Sequence, residues 1–253
     1  PFLLRTAVPP ITAAEGRRVA GVERLGKRIV IALDGDLFLV IHLMRAGRLR
    51  WGAKTTRVPG RIGLAAFDFT SGTLILTEAG TRRRASLHLV AGRDGLAALD
   101  PGGLEVLEAS RGAFAARLTS ANHTLKRALT APALFSGIGG AYSDEILFRA
   151  RLSPVALTQS LDDAAINRLY AAARAVLVEW TDRLRAEIGD DFPEHVTAFR
   201  PEMAVHGRYG KPCPVCGTPV QRIVYAETET NYCARCQTGG KVLADRRMSK
   251  LLK

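Results

Sequence analysis

The chain has 253 residues, 47% hydrophobic and 24% charged, a globular composition with enough apolar residues for a core and no bias toward disorder. Lysine and arginine total 36 against 24 acidic residues, so the formal charge is +12, and a surface of that sign attracts polyanions, nucleic acid first among them. No run of about 18 apolar residues is present, and the opening Pro1-Phe2-Leu3-Leu4-Arg5 lacks the layout of a secretory signal, so a soluble intracellular protein without a membrane span is expected.

Residues 1–116 read mostly as strands. Arg28-Ile29-Val30-Ile31-Ala32-Leu33 and Leu37-Phe38-Leu39-Val40-Ile41-His42-Leu43 flank Asp34-Gly35-Asp36, and two apolar runs around Asp-Gly signal a hairpin. Residues 64–69 and 73–77 repeat the pattern around Thr70-Ser71-Gly72. Short strands punctuated by turns predict an antiparallel β-sandwich. Lys27 stands at a strand start, where a lysine is ordinarily a solvated edge charge. His42 ends a buried-looking strand and reads as a core histidine. The run Arg82-Arg83-Arg84 suits either phosphate contact or a solvated hairpin.

Residues 117–200 read as helices. The clearest is 162–188, where Ile166, Leu169, Tyr170, Ala173, Val176, Leu177, Trp180 and Leu184 recur at spacings of three and four. Ser160 is its expected N-cap, with Asp162 and Asp163 favourable in the first turn and Gly189 as the stop. A shorter helix is expected over 140–149, ending before Pro154. It is preceded by Gly137-Ile138-Gly139, which allows either a plain tight turn or close approach of a phosphate to free N–H groups. No parallel βαβ pattern surrounds it, which disfavours a nucleotide-binding Rossmann unit. Residues 190–212 read as a polar connector.

The four cysteines close the chain as Cys213-x2-Cys216-x16-Cys233-x2-Cys236. Each C-x2-C pair can deliver two thiolates to one metal from a tight turn, which Gly217 supports. The strand-like run 220–225 lies between the pairs, and Asn231-Tyr232 leads back to the second, so the unit reads as a β-hairpin with zinc across its open end. Disulfides are disfavoured without a secretory signal. Four sulfur ligands leave no position for water, so one structural Zn2+ is expected. Arg208, Lys211, Arg222, Arg235 and Lys241 are available on this finger to line a phosphate backbone. No G-x-S-x-G or H-E-x-x-H occurs, and neither His123 nor His206 has a partner at catalytic spacing.

In this order the pieces resemble the bacterial formamidopyrimidine-DNA glycosylase / endonuclease VIII family. Arg24-Leu25-Gly26-Lys27 is similar to its R-x-G-K segment, and residues 42–49 (HLMRAGRL) to its H-L-x-M-x-G-x-L segment. Residues 137–148 (GIGGAYSDEILF) are similar to its helix-two-turn-helix signature, and Val205-His206-Gly207-Arg208 through Cys236-Gln237 to its finger. The resemblance implies an α+β multidomain fold: an N-terminal β-sandwich over 1–116, a helical helix-two-turn-helix domain over 117–200, and a four-cysteine zinc finger with a tail over 201–253. It implies a monomeric cytoplasmic, nucleoid-associated repair enzyme that flips oxidised bases from duplex DNA, excises them and nicks the abasic site through a Schiff base. Lys27 would assist at the sugar-phosphate, and Arg45, Arg83, Arg84, Lys126, Gly139, Gly140, Tyr142, Arg208 and Arg235 would contact DNA. The family's nucleophile is an N-terminal proline in Pro-Glu-Leu-Pro-Glu. This chain opens differently and reaches its first motif early, so the Pro-Glu segment and its helix are expected to be missing, and Pro1 is not the expected nucleophile. Arg45 stands where the family often has an apolar gap-filler, and Arg83-Arg84-Ala85 matches the other two. Gly140 replaces an asparagine, and Thr228 a finger arginine. The competing readings are a DNA-binding protein of the same fold without catalysis, and an unrelated zinc-ribbon protein binding RNA or protein.

Overall fold

The computed structural model describes residues 3–80, 82–194, 196–225 and 228–243. Seven strands come first: β1 (Val19–Leu25), β2 (Arg28–Leu33), β3 (Leu37–His42), β4 (Gly47–Gly52), β5 (Gly63–Asp68), β6 (Thr73–Glu78) and β7 (Ser86–Ala91). They pair antiparallel in two sheets, β1-β2-β3-β7 and β4-β6-β5. Alternation along β2 and β3 builds two cores. Ile31, Leu33, Leu37, Leu39 and Ile41 meet Leu49, Leu74 and Leu76 of the second sheet. The intervening Val30, Ala32, Phe38 and Val40 face the other way, against Val90 and Leu96 of the short helix α1 (Gly92–Ala97). Burial on both faces explains the unbroken apolar runs, and each Val, Leu, Ile or Phe so buried contributes about 1.5–3 kcal/mol.

The helices follow: α2 (Arg111–Thr119), α3 (Leu125–Thr130), α4 (Gly140–Ala150) and α5 (Asp163–Ile188). Phe114, Leu118, Leu125, Leu129, Ile146, Leu147, Leu169, Val176 and Trp180 form their common core. The cap of α5 is Asp162, whose carboxylate accepts the Ala165 N–H at 2.6 Å, whereas Ser160 donates to the Leu157 carbonyl. Asp162 stands directly before the first helical turn, so its short side chain reaches N–H groups that Ser160 cannot. Arg151, in the left-handed conformation (φ 54°), ends α4. The hairpin β8 (Gln221–Tyr225) and β9 (Thr228–Tyr232) and the short helix α6 (Ala234–Thr238) make the finger.

Contacts divide the chain into two compact units, Pro1–Pro101 with Ile188–Val196, and Gly102–Glu187 with Thr197–Lys253. The first boundary thus falls before α2, whose Phe114 and Leu118 belong to the helical core. Helices and finger share one unit, because the stretch expected to be a polar connector buries Met203 in the helical core and Val205 beside the cysteines. Among the described residues no helix is long and apolar enough to cross a membrane.

Candidate nucleic-acid interface and zinc site

In the sandwich unit, strand register gathers the basic residues. Arg28 opposes His42, and His42 opposes Ser86, so the start of β2, the end of β3 and the start of β7 share one end of the sheet. Lys27 lies in the two-residue turn between β1 and β2, after Gly26 at φ 60°, a conformation tight hairpins require. The β3–β4 turn, carrying Arg45, and the loop with Arg83 and Arg84 emerge at this same end, and all three arginines are exposed. Gly47 closes the β3–β4 turn: its N–H donates to the Leu43 carbonyl at 2.9 Å, and a Cβ there would lie 2.3 Å from that oxygen.

The arginine loop is held from inside. Glu78, only 2% exposed, accepts from the N–H of Arg84 at 2.9 Å and of Ala85 at 3.0 Å. Arg83 also donates to the Arg61 carbonyl.

His42 is the residue the sequence placed wrongly. It is no core histidine but the edge of a cationic cluster with Lys27, Arg28 and His88. Alternation puts Arg28, His42 and His88 on the sheet face that carries Val30 and Val40, beyond the apolar patch under α1. Burial, then Arg28, Lys27 and His88, push the His42 pKa below the ordinary histidine value. Burial, then Arg28 and Arg5, do the same to His88 against a raising bond with Val40. Desolvation lowers the Lys27 pKa as well. The charges acting on both histidines are therefore all cationic. Among the described residues, the buried nitrogens Arg28 Nε and His88 Nδ1 have no hydrogen-bond partner. The summed positive field at this end of the sheet attracts anions. Pro1 lies outside the described residues.

In the second unit, Gly139 precedes α4 with no side-chain cap, and open space lies where Cβ atoms of Gly139 and Gly140 would be. The first-turn N–H groups of a helix have no partner within it, so this turn offers donors at the positive end of a helix dipole. Ile138 is buried and anchors the turn, and Tyr142 packs its ring 5.9 Å from Trp180 of α5. Lys126 of α3 is turned inward: its ammonium donates to the Gly140 carbonyl at 2.6 Å and pairs with Asp144 at 2.5 Å. It holds the glycine turn rather than offering a bare charge to phosphate.

The finger and its lead-in are docked at the middle of α4 and just beyond its C-terminal end. Glu145 accepts three backbone bonds, from the N–H of Ala204 (2.8 Å), Val205 (3.0 Å) and His206 (2.9 Å). His206, which showed no partner in sequence, pairs through Nδ1 with Asp144 at 2.8 Å. Beyond the far end of α4, Gln237 donates to the Leu152 carbonyl at 2.9 Å and accepts from the Cys233 N–H at 2.8 Å. These anchors join residues 59 to 85 apart in sequence, so no local pattern announces them. Arg208 donates to the Pro201 carbonyl at 2.9 Å, Arg235 is exposed on α6, and Thr228 is exposed at the start of β9.

The sulfur atoms of Cys213, Cys216, Cys233 and Cys236 all lie within 4.8 Å of one another, and all four cysteines are free of disulfides. Zinc–sulfur bonds of about 2.3 Å in a tetrahedron place sulfurs about 3.8 Å apart, and two of the pairs here are 3.4 and 3.9 Å apart. The first knuckle is shaped by the Cys213 N–H bond to Thr218 and by Gly217 at φ 74°. Thr218 hydrogen bonds pull the Cys216 pKa down to about 6, whereas burial raises those of Cys233 and Cys236, so holding all four as thiolates calls for a cation among them. Phe148 of α4 packs beside the cluster, with Val205 and Val220. The donor set fits one structural Zn2+, whose four thiolates would leave no open position for water.

Comparison with known proteins agrees with this architecture. Three family profiles match in order: Formamidopyrimidine-DNA glycosylase N-terminal domain (residues 4–87), Formamidopyrimidine-DNA glycosylase H2TH domain (103–184) and Zinc finger found in FPG and IleRS (210–239). A Thermus thermophilus protein named formamidopyrimidine-DNA glycosylase is 37% identical over 236 residues, 90% of this chain and 85% of its own. An uncharacterized formamidopyrimidine-DNA glycosylase-like protein of Mycobacterium tuberculosis is 40% identical over 151 residues, 60% of this chain and 94% of its own. Among solved structures, the MutM (Fpg) protein of Thermus thermophilus superposes with a TM-score of 0.76 at 34% identity, covering 92% of this chain and 88% of that one. The Lactococcus lactis Fpg in complex with abasic-site DNA shares the fold, with a TM-score of 0.76 at 23% identity over 88% of this chain and 83% of that one. With the sandwich, the helix-two-turn-helix unit and the four-cysteine finger each matched in place, the chain belongs to the formamidopyrimidine-DNA glycosylase family.

Proposed function

We propose that this protein is a DNA base-excision repair glycosylase that removes oxidised bases from duplex DNA and nicks the strand at the resulting abasic site through a Schiff base. The observation that carries the reading is the cationic end of the sandwich, where Lys27, Arg28, His42 and His88 meet and the charges acting on both histidines are cationic. Its relatives bear the name formamidopyrimidine-DNA glycosylase. A phosphate beside the flipped nucleotide would take its bonds from this cluster, Lys27 neutralising the sugar-phosphate as the base leaves. Arg45, Arg83 and Arg84, on loops at the same sheet end, would enter the space the base vacates.

The open first turn of α4 at Gly139 and Gly140 would take a second phosphate, with Tyr142 and Lys126 setting its shape. Arg208 and Arg235 would track the backbone on the zinc-held finger. In this reading the protein acts as a monomer in the bacterial cytoplasm, on the nucleoid.

Borohydride trapping on an abasic-site duplex tests the chemistry. A covalent adduct with the strand supports the lyase chemistry, and affinity is expected to fall steeply as salt rises. Tight binding without an adduct would favour a DNA-binding protein of the same fold that lacks lyase chemistry. Binding indifferent to salt would refute the DNA reading.

A further inference from the structure

We infer that Asp144 is a positioning residue that sets the glycine turn of α4 and the lead-in to the finger in one geometry for gripping duplex DNA. The inference rests on the DNA-binding reading above. Asp144 has no exposed surface, and each of its carboxylate oxygens serves a different element. Oδ1 accepts from the Lys126 ammonium of α3 at 2.5 Å, and Oδ2 accepts from Nδ1 of His206 at 2.8 Å. Both partners are themselves well covered, with side chains 16% and 11% exposed.

The two arms lead to different surfaces. On one side, Lys126 passes the constraint to the Gly140 carbonyl at 2.6 Å, where the hydroxyl of Ser143 also donates at 2.9 Å. That carbonyl belongs to the first peptide of the helix, so its tilt sets the direction of the neighbouring first-turn N–H groups, beside glycines whose missing side chains leave open space. On the other side, the His206 ring is fixed by Asp144 and stacked on Phe199, with centroids 5.5 Å apart. The next residue, Gly207, donates its N–H to Asn231 of β9 at 2.8 Å, which carries the constraint into the hairpin.

An ion pair this deeply buried is not needed for stability, since well-packed apolar residues commonly serve as well. Its distinctive property is direction: a carboxylate with two fixed acceptor oxygens holds two donors at a set separation, which an apolar contact does not. The neighbouring Glu145 performs the plain anchoring, binding only backbone N–H groups of residues 204–206. Asp144 instead links side chains from either direction.

The test compares the chain with Asp144→Asn, and with a double variant, Lys126→Met with Asp144→Leu, that removes both charges and keeps the volume. Measured for each are zinc content, helix content, affinity for a duplex carrying an abasic-site analogue, and duplex-induced hydrogen-exchange protection at residues 139–142. The expected result is one zinc and unchanged helix content in the double variant, with affinity lower by about tenfold, since small misplacements of binding groups carry losses of that order or more. Protection at 139–142 on adding duplex should be lost with it. Should Asp144→Asn fail to fold with its lysine unpaired, the double variant decides. Parent-like affinity and protection in the double variant overturn the positioning role alone. Loss of zinc from both variants also overturns it, in favour of simple scaffolding. Failure of the parent chain itself to bind duplex overturns the DNA reading and this role together.

Discussion

Glu145 offers the sharpest test of how the finger is attached. Its carboxylate, almost wholly buried, accepts the N–H groups of Ala204, Val205 and His206. Replacement by alanine removes all three acceptor contacts. Val205 is fully buried, so its N–H loses its partner with no water to replace it, at a cost of about 1–3 kcal/mol. Ala204 and His206 are partly exposed and can recover some hydration, so their two bonds to a charged acceptor lose about 1 kcal/mol each. The sum for Glu145→Ala is about 3–5 kcal/mol. Glu145→Gln keeps one acceptor oxygen and should lose about half of that. The two compact units need not unfold together, so the probe must report on this one alone. In a Trp51→Phe background the remaining tryptophan, Trp180, lies in the helical core and supplies that probe. Urea unfolding followed by its fluorescence gives the stability difference. A loss below about 1 kcal/mol for Glu145→Ala, or a glutamine variant worse than alanine, would refute the claim that this carboxylate anchors the finger.

Two further outcomes follow from the site. Chelation of the metal should release one zinc per chain and unfold the β8–β9 hairpin, with duplex affinity falling at least about tenfold while the α5 helical signal persists; metal emission and circular dichroism check this. His42, held below its ordinary pKa by burial and by Arg28, Lys27 and His88, is neutral in the free protein near neutral pH. A docked phosphate raises that pKa, so binding takes up a proton and should tighten as pH falls from about 7.5 to 5.5. His42→Gln should flatten the profile. The stability sign is opposite: a histidine with a depressed folded pKa lends stability above its unfolded pKa and loses it as pH falls.

Where one strand or one helix carries a pattern, the sequence announces it. The β2–β3 hairpin, the α5 stripe and the cysteine spacing each stand where the periodicity or the ligand chemistry places them. What the chain order hides is everything set between elements. His42 reads as core because its own strand is apolar; only the register against β2 and β7 shows that its neighbours are Arg28 and Ser86. Met203 and Val205 are lone apolar residues in a polar stretch, with no period to mark them, yet they fasten it to the helices and the finger. The N-cap of α5 shifts by two residues because Asp162, a first-turn acid by sequence, reaches the Ala165 N–H.

The two lysines singled out from sequence illustrate why a net charge of +12 does not map directly onto a binding surface. Lys27 sits at the tip of a rigid hairpin turn, exposed, in a cluster whose charges add. Lys126 faces Asp144; burial lowers its pKa, and the fields of Asp144 and Glu145 oppose that shift. The first charge lies at the surface and the second is spent inside the fold. Lys27→Met should therefore leave stability within about 0.5 kcal/mol, as exposed substitutions do. It should also make the dependence of log affinity on log salt shallower by about one unit, the signature of one lost phosphate contact. Lys126→Met should act in the reverse proportion. It strands the Asp144 carboxylate without its cation, at a cost of about 3–5 kcal/mol, and takes no direct phosphate contact with it, so the salt slope of the folded protein stays near that of the parent. Urea unfolding and duplex titrations at several salt concentrations separate the two. A salt slope unchanged by Lys27→Met but reduced by Lys126→Met would reverse the assignment, placing the outward charge on α3 and leaving the sandwich turn a mere edge.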